Sequence, residues 1–299
     1  MDRHILYIIN PVSGTKDKGK LQHLIALKSE RAGFRYSFYP SVSSGDYTFL
    51  EPIVAEEHVT DIVIAGGDGT INGVINSLRH LLLPFGILPF GSGNGLALSA
   101  HLPTNPSKAL DIIFKGKAKW IDAFTINERF GCMLGGLGFD AQVAHDFAND
   151  PSRGLTTYIK NTVSNFFAAT VYPFTIAIGN ESWDTEAFFI SIANSNQFGN
   201  NFTIAPKASL MDGLLDIVIV NKQGKMSVLF ETLRQVAGYN QLIEKETANS
   251  KSGIIYLQTD QILISNSMLA PLHIDGDPAE TSELLKIDLL PGCFQLLFP

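Results

Sequence analysis

Three observations predict an α/β domain followed by an all-β domain. Short apolar runs of strand length alternate with helical periodicity over roughly the first 120 residues, which implies a mostly parallel sheet covered by helices. Three of the strand-to-helix junctions carry glycine and small polar residues, around Asn10, Gly66 and Gly91. Beyond Lys117 the helical patterns thin out, and strand patterns follow one another as in an all-β domain.

The elements follow in order. Ile5 to Ile9 is a buried strand running into the polar turn Asn10-Pro11-Val12-Ser13-Gly14. Leu21, Leu24, Ile25 and Leu27 recur at helical spacing, and Gly33 is a C-terminal stop. Arg35 to Tyr39 alternates like a strand. Tyr47 to Val59 reads as helix, with Pro52 either in a first turn or at a kink. Ile62-Val63-Ile64-Ala65 is a short apolar run rich in β-branched residues. Gly66-Gly67-Asp68-Gly69-Thr70 follows, and then Ile71, Val74, Ile75 and Leu78 return to helical spacing. Pro84 to Pro89 is a fourth strand and ends in Phe90-Gly91-Ser92-Gly93-Asn94-Gly95; Leu96 to His101 and Ser107 to Phe114 are helical.

In the second half, strands are expected at Lys119–Ile126, Phe130–Leu134, Phe174–Ile178, Ala187–Ala193, Leu214–Val220, Gly253–Leu257, Gln261–Ser265 and Leu272–Ile274. Helical patterns interrupt them at Tyr158–Ala169 and Met226–Ala237, and Asn194 to Asn201 is a polar loop. Strands at Leu284–Leu289 and Cys293–Phe298 would return to the first domain. The expected division is residues 1–120, joined by the return at 284–299, and residues 121–283.

A formal net charge of −7 argues against a nucleic-acid partner, which calls for a basic face. Two cysteines, Cys132 and Cys293, offer no disulfide framework and no metal-ligand spacing. No apolar segment approaches the ~20 residues needed to span a bilayer, and the run after His4 is too short for a signal peptide, so a cytoplasmic protein is expected. Exposed strand edges in the β domain are where a homodimer would pair.

The chemistry is expected at the glycine turns. In a parallel sheet such turns lie at the carboxyl ends of the strands, where ligands bind. Glycine lets another group approach the backbone, and the free N–H groups opening a helix favour a negative charge. A phosphate fits that description. Asp68 would repel a bare phosphate, so it calls for a magnesium ion or a proton to transfer.

Asn10-Pro11-Val12-Ser13-Gly14, Gly66-Gly67-Asp68-Gly69-Thr70 and Pro89-Phe90-Gly91-Ser92-Gly93-Asn94 resemble the ordered motifs of the diacylglycerol kinase catalytic-domain family, which includes bacterial lipid kinases and sphingosine kinases. Gly91 to Ala97 looks closer to the sphingosine kinase form, because bacterial diacylglycerol kinases usually carry an acidic residue where Gly95 stands. The likeness continues through Gly138-Phe139-Asp140-Ala141, Ala205-Pro206, Asp212-Gly213-Leu214-Leu215-Asp216 and Asp275-Gly276-Asp277.

That resemblance implies a nucleotide-binding α/β domain and a β-sandwich, with ATP-dependent phosphorylation of a lipid hydroxyl in the cleft between them. Its implied nucleotide site comprises Asn10, Pro11, Ser13, Gly14, Ser41, Gly66, Gly67, Gly69, Thr70, Gly91, Ser92, Gly93 and Asn94, with Asp275 and Gly276. Asp68 and Asp122 would serve the Mg2+ network of the phosphates. Asp212, with carbonyls near Ser209 and Leu214, matches a second magnesium position. Asp68 and Asp277 are the candidate bases; Asp277 stands where relatives usually carry Glu, one methylene longer. For a lone Asp-Gly pair the reading of Asp275 as a turn residue is the favoured alternative.

Asp140 and Arg153 are the expected substrate residues, Arg153 competing with a solvated surface role. Leu155, Tyr158, Ile159, Thr162, Val163, Phe166 and Phe167 form an apolar stripe that suits core packing or a groove for a lipid chain. Lys16, Lys18 and Lys20 read as a solvated helix start rather than as phosphate ligands, with Lys16 near enough to the Asn10 turn to matter. Contact with the membrane surface would be transient, since no basic amphipathic helix is evident. Two other functions are alternatives: a kinase of a soluble substrate, like an NAD kinase, whose family shares the Gly66–Thr70 turn although the Asn10 and Gly91 turns fit lipid kinases better, and a nucleotide-binding regulator weakened by Gly95 and Asp277.

Overall fold

The computed structural model describes residues 3–14, 17–139, 141–142, 169–196, 203–221 and 253–299. The chain divides into two compact units. The first comprises residues 1–123 with 199–201 and 291–299, the second residues 124–198 with 202–290.

In the first unit, β1 (His4–Ile9), β2 (Arg35–Pro40), β3 (Asp61–Gly66) and β4 (Pro84–Pro89) form a parallel sheet in the order β2-β1-β3-β4. β1 and β3 are buried along their whole length, as a sheet covered on both faces requires. Ile5, Tyr7, Val63, Ala65 and Leu88 pack with Leu21 and Ile25 of α1 (Lys18–Ala32) and with Ala109, Leu110 and Ile113 of α5 (Pro106–Lys115). α1 begins where the Asp17 carboxylate accepts the N–H groups of Gly19 and Lys20, and it ends at Gly33, whose φ of 72° is left-handed. α3 (Asp68–Leu78) buries Ile71, Val74, Ile75 and Leu78, the stripe read from the sequence. Arg3 holds the lower edge together, gripping Asp61 through two bonds of 2.8 Å and the carbonyls of Ile113 and Phe114.

Two elements of this unit differ in form from expectation. The region Tyr47–Val59 is a 3-10 turn, Thr48–Leu50, followed by a six-residue α2 (Glu51–Glu56). Pro52 sits in its first turn, where a missing N–H costs nothing. α4 is a five-residue helix, Gly95–Ser99.

The second unit is antiparallel. β7 (Leu134–Gly138), β9 (Glu181–Ala193), β10 (Leu215–Asn221), β11 (Ile254–Thr259), β13 (Leu272–Ile274) and β14 (Asp277–Ala279) run in the order β11-β10-β9-β7-β13-β14. The first half of β9 pairs instead with β8 (Tyr172–Ile178), which continues to β12 (Gln261–Ser265). β9 therefore passes from one sheet to another, and the register slips at Val220/Asn221 where it does so. Between the faces lies one apolar core that includes Phe124, Leu137, Ile190, Ile217, Ile264, Leu272 and Ile287.

Three strand predictions need correction. Phe130–Leu134 is not one strand: β6 (Arg129–Gly131) stops, and β7 starts at Leu134. The N–H groups of Cys132 and Met133 are taken by a carboxylate, so they cannot join a ladder. The two terminal strands are a single β15 (Leu284–Phe298), and Pro291-Gly292 lies within it. Its beginning pairs with β12, and Gln295 and Leu296 pair with β4. β14 was not expected; Pro278 suits it as the last strand of its sheet. β5 (Lys117–Ile126) starts two residues before the expected Lys119, at the change of texture. Among the described residues no helix is long and apolar enough to cross a membrane.

Candidate functional site

The order β2-β1-β3-β4 reverses direction between β1 and β3, because the chain leaves β1 toward one side and β3 lies on the other. Loops part at such a switch point and leave a crevice at the carboxyl ends. Asn10 follows β1 there. Its backbone N–H donates to Ala65 O at 2.9 Å. Its side-chain Nδ2 donates to Thr70 Oγ1 at 2.8 Å, and its Oδ1 accepts from Val12 N at 2.9 Å and Ser13 N at 3.2 Å. One side chain thus folds the 10–14 turn and ties it to the first turn of α3. Ser13 Oγ closes the turn on Asn10 O. Pro11 is exposed and Ser13 half-buried.

The glycines at the ends of β3 and β4 and in the turns that follow are required by close approach. A Cβ on Gly91 would lie 2.5 Å from the Cα of Gly67, and one on Gly67 would lie 3.1 Å from the Cα of Gly91. The two turns touch backbone to backbone. A Cβ on Gly66 would lie 2.8 Å from Thr70 Cβ, and Gly14, at φ 59°, faces the carbonyl of Phe90. Asn94 sets the second turn: at φ 55°, it accepts from Gly91 N and donates to Gly91 O, both at 2.8 Å. Asn tolerates that left-handed conformation better than other side chains. Ser92 is exposed and Gly93 half-exposed at the lip of this turn.

Asp68 is the first residue of α3 and is half-buried; Gly69 beside it is exposed. The helix opens on Gly67 with no side-chain cap, and the opening turn of a helix favours a negative charge. Ser41 follows β2, and its N–H donates to Ile9 O at 2.9 Å, placing the 41–45 loop beside the Asn10 turn. Gly73 of α3 receives that loop, since a Cβ there would lie 2.8 Å from Gly45 O. The structure therefore brings Asn10, Ser13, Gly14, Ser41, Gly66, Gly67, Asp68, Thr70, Gly91 and Asn94 to one edge of one sheet.

Asp122 is also in the first unit, 4% exposed, and its Oδ1 accepts Gly292 N at 2.7 Å. That bond ties β5 to the Pro291-Gly292 step of β15, a structural task the sequence does not announce.

The remaining candidates lie in the second unit. Asp275 is buried, and its carboxylate accepts three backbone N–H groups: Cys132 at 2.9 Å, Met133 at 2.8 Å and Leu134 at 2.9 Å. Its own N–H donates to Leu134 O at 2.6 Å. This is the turn-residue alternative, in a form the sequence did not suggest, because the partners lie more than 140 positions away. Gly276 has φ 88° and donates its N–H to His273 Nδ1 at 3.2 Å. Asp277 is exposed; desolvation first, then the negative charge of Asp275, push its carboxyl above its ordinary value.

Asp212 Oδ1 accepts Leu214 N at 3.2 Å across Gly213, which has φ 74°, and Ser209 Oγ accepts Met211 N at 3.4 Å. The loop is thus a pair of side-chain-closed turns leading into β10. Fully buried Asp216 follows, with Gln258 Nε2 at 3.1 Å and the Tyr256 hydroxyl donating to it; burial raises its carboxyl above its ordinary value. Among the described residues, no three His, Cys, Asp or Glu side chains converge as a metal site. Asp140, Arg153, Lys16 and the stripe 155–167 lie outside the described residues.

Sequence reasoning missed Phe90 and undervalued Lys18. The Lys18 ammonium donates to Ser13 O and lies 4.8 Å from the centre of the Phe90 ring, so it braces the Asn10 turn and is no merely solvated helix start. Lys20 is exposed, as expected.

Residues 4–126 match the diacylglycerol kinase catalytic domain, and residues 136–298 match the YegS C-terminal NAD kinase beta sandwich-like domain. A diacylglycerol kinase of Bacillus subtilis (strain 168) is 27% identical, over 97% of this chain and 92% of its own. A diacylglycerol kinase of Staphylococcus carnosus (strain TM300) is 25% identical, over 93% of this chain and 89% of its own. A crystal structure of a candidate diacylglycerol kinase from Bacillus anthracis str. Sterne shares the fold, with a TM-score of 0.82, 22% identity, and coverage of 99% of this chain and 96% of that one. With a catalytic domain and a β-sandwich matched in order along nearly its whole length, the chain belongs to the diacylglycerol kinase/YegS family.

Proposed function

We propose that the protein is an ATP-dependent lipid kinase that transfers the γ-phosphate to a hydroxyl of a diacylglycerol- or sphingosine-like lipid, drawn from a membrane surface. The observation that carries this is the contact of Gly67 with Gly91. No side chain separates the two turns, so the start of α3 and the Asn94-closed turn meet at one place. Family membership supports the reaction class, and the kinase-named relatives support a lipid acceptor.

The chemistry asks little covalent help of the protein; positioning and charge neutralisation do most of it. The amides around Gly67–Gly69 and those of Ser92 and Gly93 would bind phosphate oxygens. Asn10 ties its own turn to the start of α3 through Thr70. Mg2+ fits a site with one carboxylate beside phosphates, since it usually binds through one or two carboxylates and the substrate's own oxygens. Asp68, at the opening of α3, would hold it, and it would supply the charge neutralisation. We read Asp277 as the group that accepts the proton of the lipid hydroxyl. A carboxyl raised above its ordinary value is a better base near neutral pH than an unperturbed one. The turn around Asp212 could take a second, structural Mg2+ through its carboxylate and the carbonyls near Ser209 and Leu214.

The test is transfer of label from [γ-32P]ATP to a panel of diacylglycerol, sphingosine, ceramide and NAD. Label in one of the lipids is the expected result. Label in NAD alone would replace the lipid with a soluble acceptor, and no label in any of them would point to a regulator without turnover.

A further inference from the structure

Asp277 follows a two-residue hairpin turn. Ile274 pairs with Asp277, and the residues between them, Asp275 and Gly276, have φ of 52° and 88°. Positive φ at both positions is the geometry that matches the twist of two antiparallel strands. The two turn residues are held very differently. Asp275 is locked by three amide N–H groups on its carboxylate. Gly276 is exposed, has no side chain, and would find nothing within 4 Å of a Cβ. Its N–H donates to His273 Nδ1 at 3.2 Å.

His273 is suited to that task. It is 1% exposed, and its backbone lies between Gly136 of β7 and Pro278 of β14. A buried ring has little rotamer freedom, so an acceptor on it is a fixed point. A ring nitrogen that accepts an N–H carries no proton of its own, which assigns the neutral ring's proton to Nε2.

We propose that His273 is a positioning residue for Asp277: its Nδ1 anchors the Gly276 amide, so that the carboxylate one residue later meets the acceptor hydroxyl in a single orientation. This rests on the reading of Asp277 as the base. Without the anchor, the turn keeps its Asp275 side and frees its Gly276 side. The carboxylate then samples several orientations, and a displacement of ~1 Å can cost up to ~100-fold in rate.

The test compares His273→Asn, His273→Gln, His273→Ala and Asp277→Ala in the full chain, with kcat, KM for ATP, thermal midpoint and exchange of the Gly276 amide as readouts. Asn Oδ1 stands the same number of bonds from Cα as His Nδ1; Gln Oε1 stands one further. The expected result is that His273→Asn keeps kcat within ~3-fold of wild type. His273→Gln and His273→Ala should lose ~10-fold or more, with KM for ATP unchanged. Faster exchange of the Gly276 amide should accompany the two slow variants only. A role in packing alone would favour Gln, which is nearer in volume, over Asn, and that order would overturn the proposal. Normal kcat in all three variants, with Asp277→Ala inactive, would also overturn it while leaving the base in place. Normal turnover in Asp277→Ala would remove the base reading itself. Should the alanine variant fail to fold, the Asn-against-Gln order decides.

Discussion

Replacing Gly91 with alanine tests the backbone contact on which the phosphate cradle depends. The new Cβ would lie 2.5 Å from Gly67 Cα and 3.2 Å from Asn94 Oδ1, where carbon atoms normally rest at ~3.5–4.0 Å. The two turns must therefore part by ~1 Å. Nothing flexible is available to yield: Gly67 presents backbone, and Asn94 is tied to Gly91 by both side-chain atoms. Overpacking of this kind costs about 1–3 kcal/mol of stability. The amides that would face phosphate move with the turns, and one charge-assisted bond lost is about 1.5–3 kcal/mol, so ATP should bind ~10–100-fold more weakly. Gly33→Ala is the matched control. Its φ of 72° makes alanine strained by about 1–2 kcal/mol, yet nothing lies within 4 Å of the new atom and it caps α1 rather than the cradle. Thermal unfolding and calorimetric titration with ATP would measure both effects. Equal ATP affinity in Gly91→Ala and wild type, or an equal loss in Gly33→Ala, would refute the reasoning.

Asp68→Asn should lower kcat by ~100-fold or more while costing only about 0.3–1 kcal/mol, the value of a carboxylate in the first turn of a helix; steady-state kinetics with a melting curve checks both parts. Asp275→Ala should destabilise the second unit by about 3 kcal/mol or more, because three buried N–H groups lose their acceptor. A loss below about 1 kcal/mol in urea unfolding would show that these bonds do not organise the turn. Asp216→Asn should stabilise at pH 7–8 without divalent cation. The folded carboxyl is raised by burial, so its ionised form costs the native state above that raised value, and the cost disappears as pH falls below the ordinary ~3.9. An unchanged melting temperature at pH 8, or a gain that grows toward pH 4, would contradict that sign.

The first unit was legible because its signals are local. Ile5–Ile9 and Ile62–Ala65 are short β-branched runs, Ile71 to Leu78 keeps helical spacing, and each glycine turn sits between a strand and a helix. The second unit hid more. β7 contains Leu134-Gly135-Gly136-Leu137-Gly138, which lacks the residues that mark a strand, and it is stabilised by its neighbours β9 and β13. The first half of β9, Glu181 to Glu186, alternates exposed and half-buried residues and is too polar to register. Pro291-Gly292 reads as a turn, yet it lies within β15, with the Gly292 N–H held by the Asp122 carboxylate. At the candidate site, the residue types were visible but not all the partners. Asn10 could be assigned to a phosphate turn from its neighbours; its bond to Thr70 could not. Asp275 and His273 act through residues that no spacing rule connects to them, Cys132 to Leu134 across the sheet and Gly276 across a hairpin.

The most direct test of the phosphate cradle is a crystal structure of the protein with Mg2+ and a non-hydrolysable ATP analogue. The expected result is a triphosphate within hydrogen-bond distance of the amides of Gly67 to Gly69, Ser92 and Gly93, with the Asp68 carboxylate on the metal. A nucleotide bound elsewhere on the chain, with those amides facing only solvent, would contradict it.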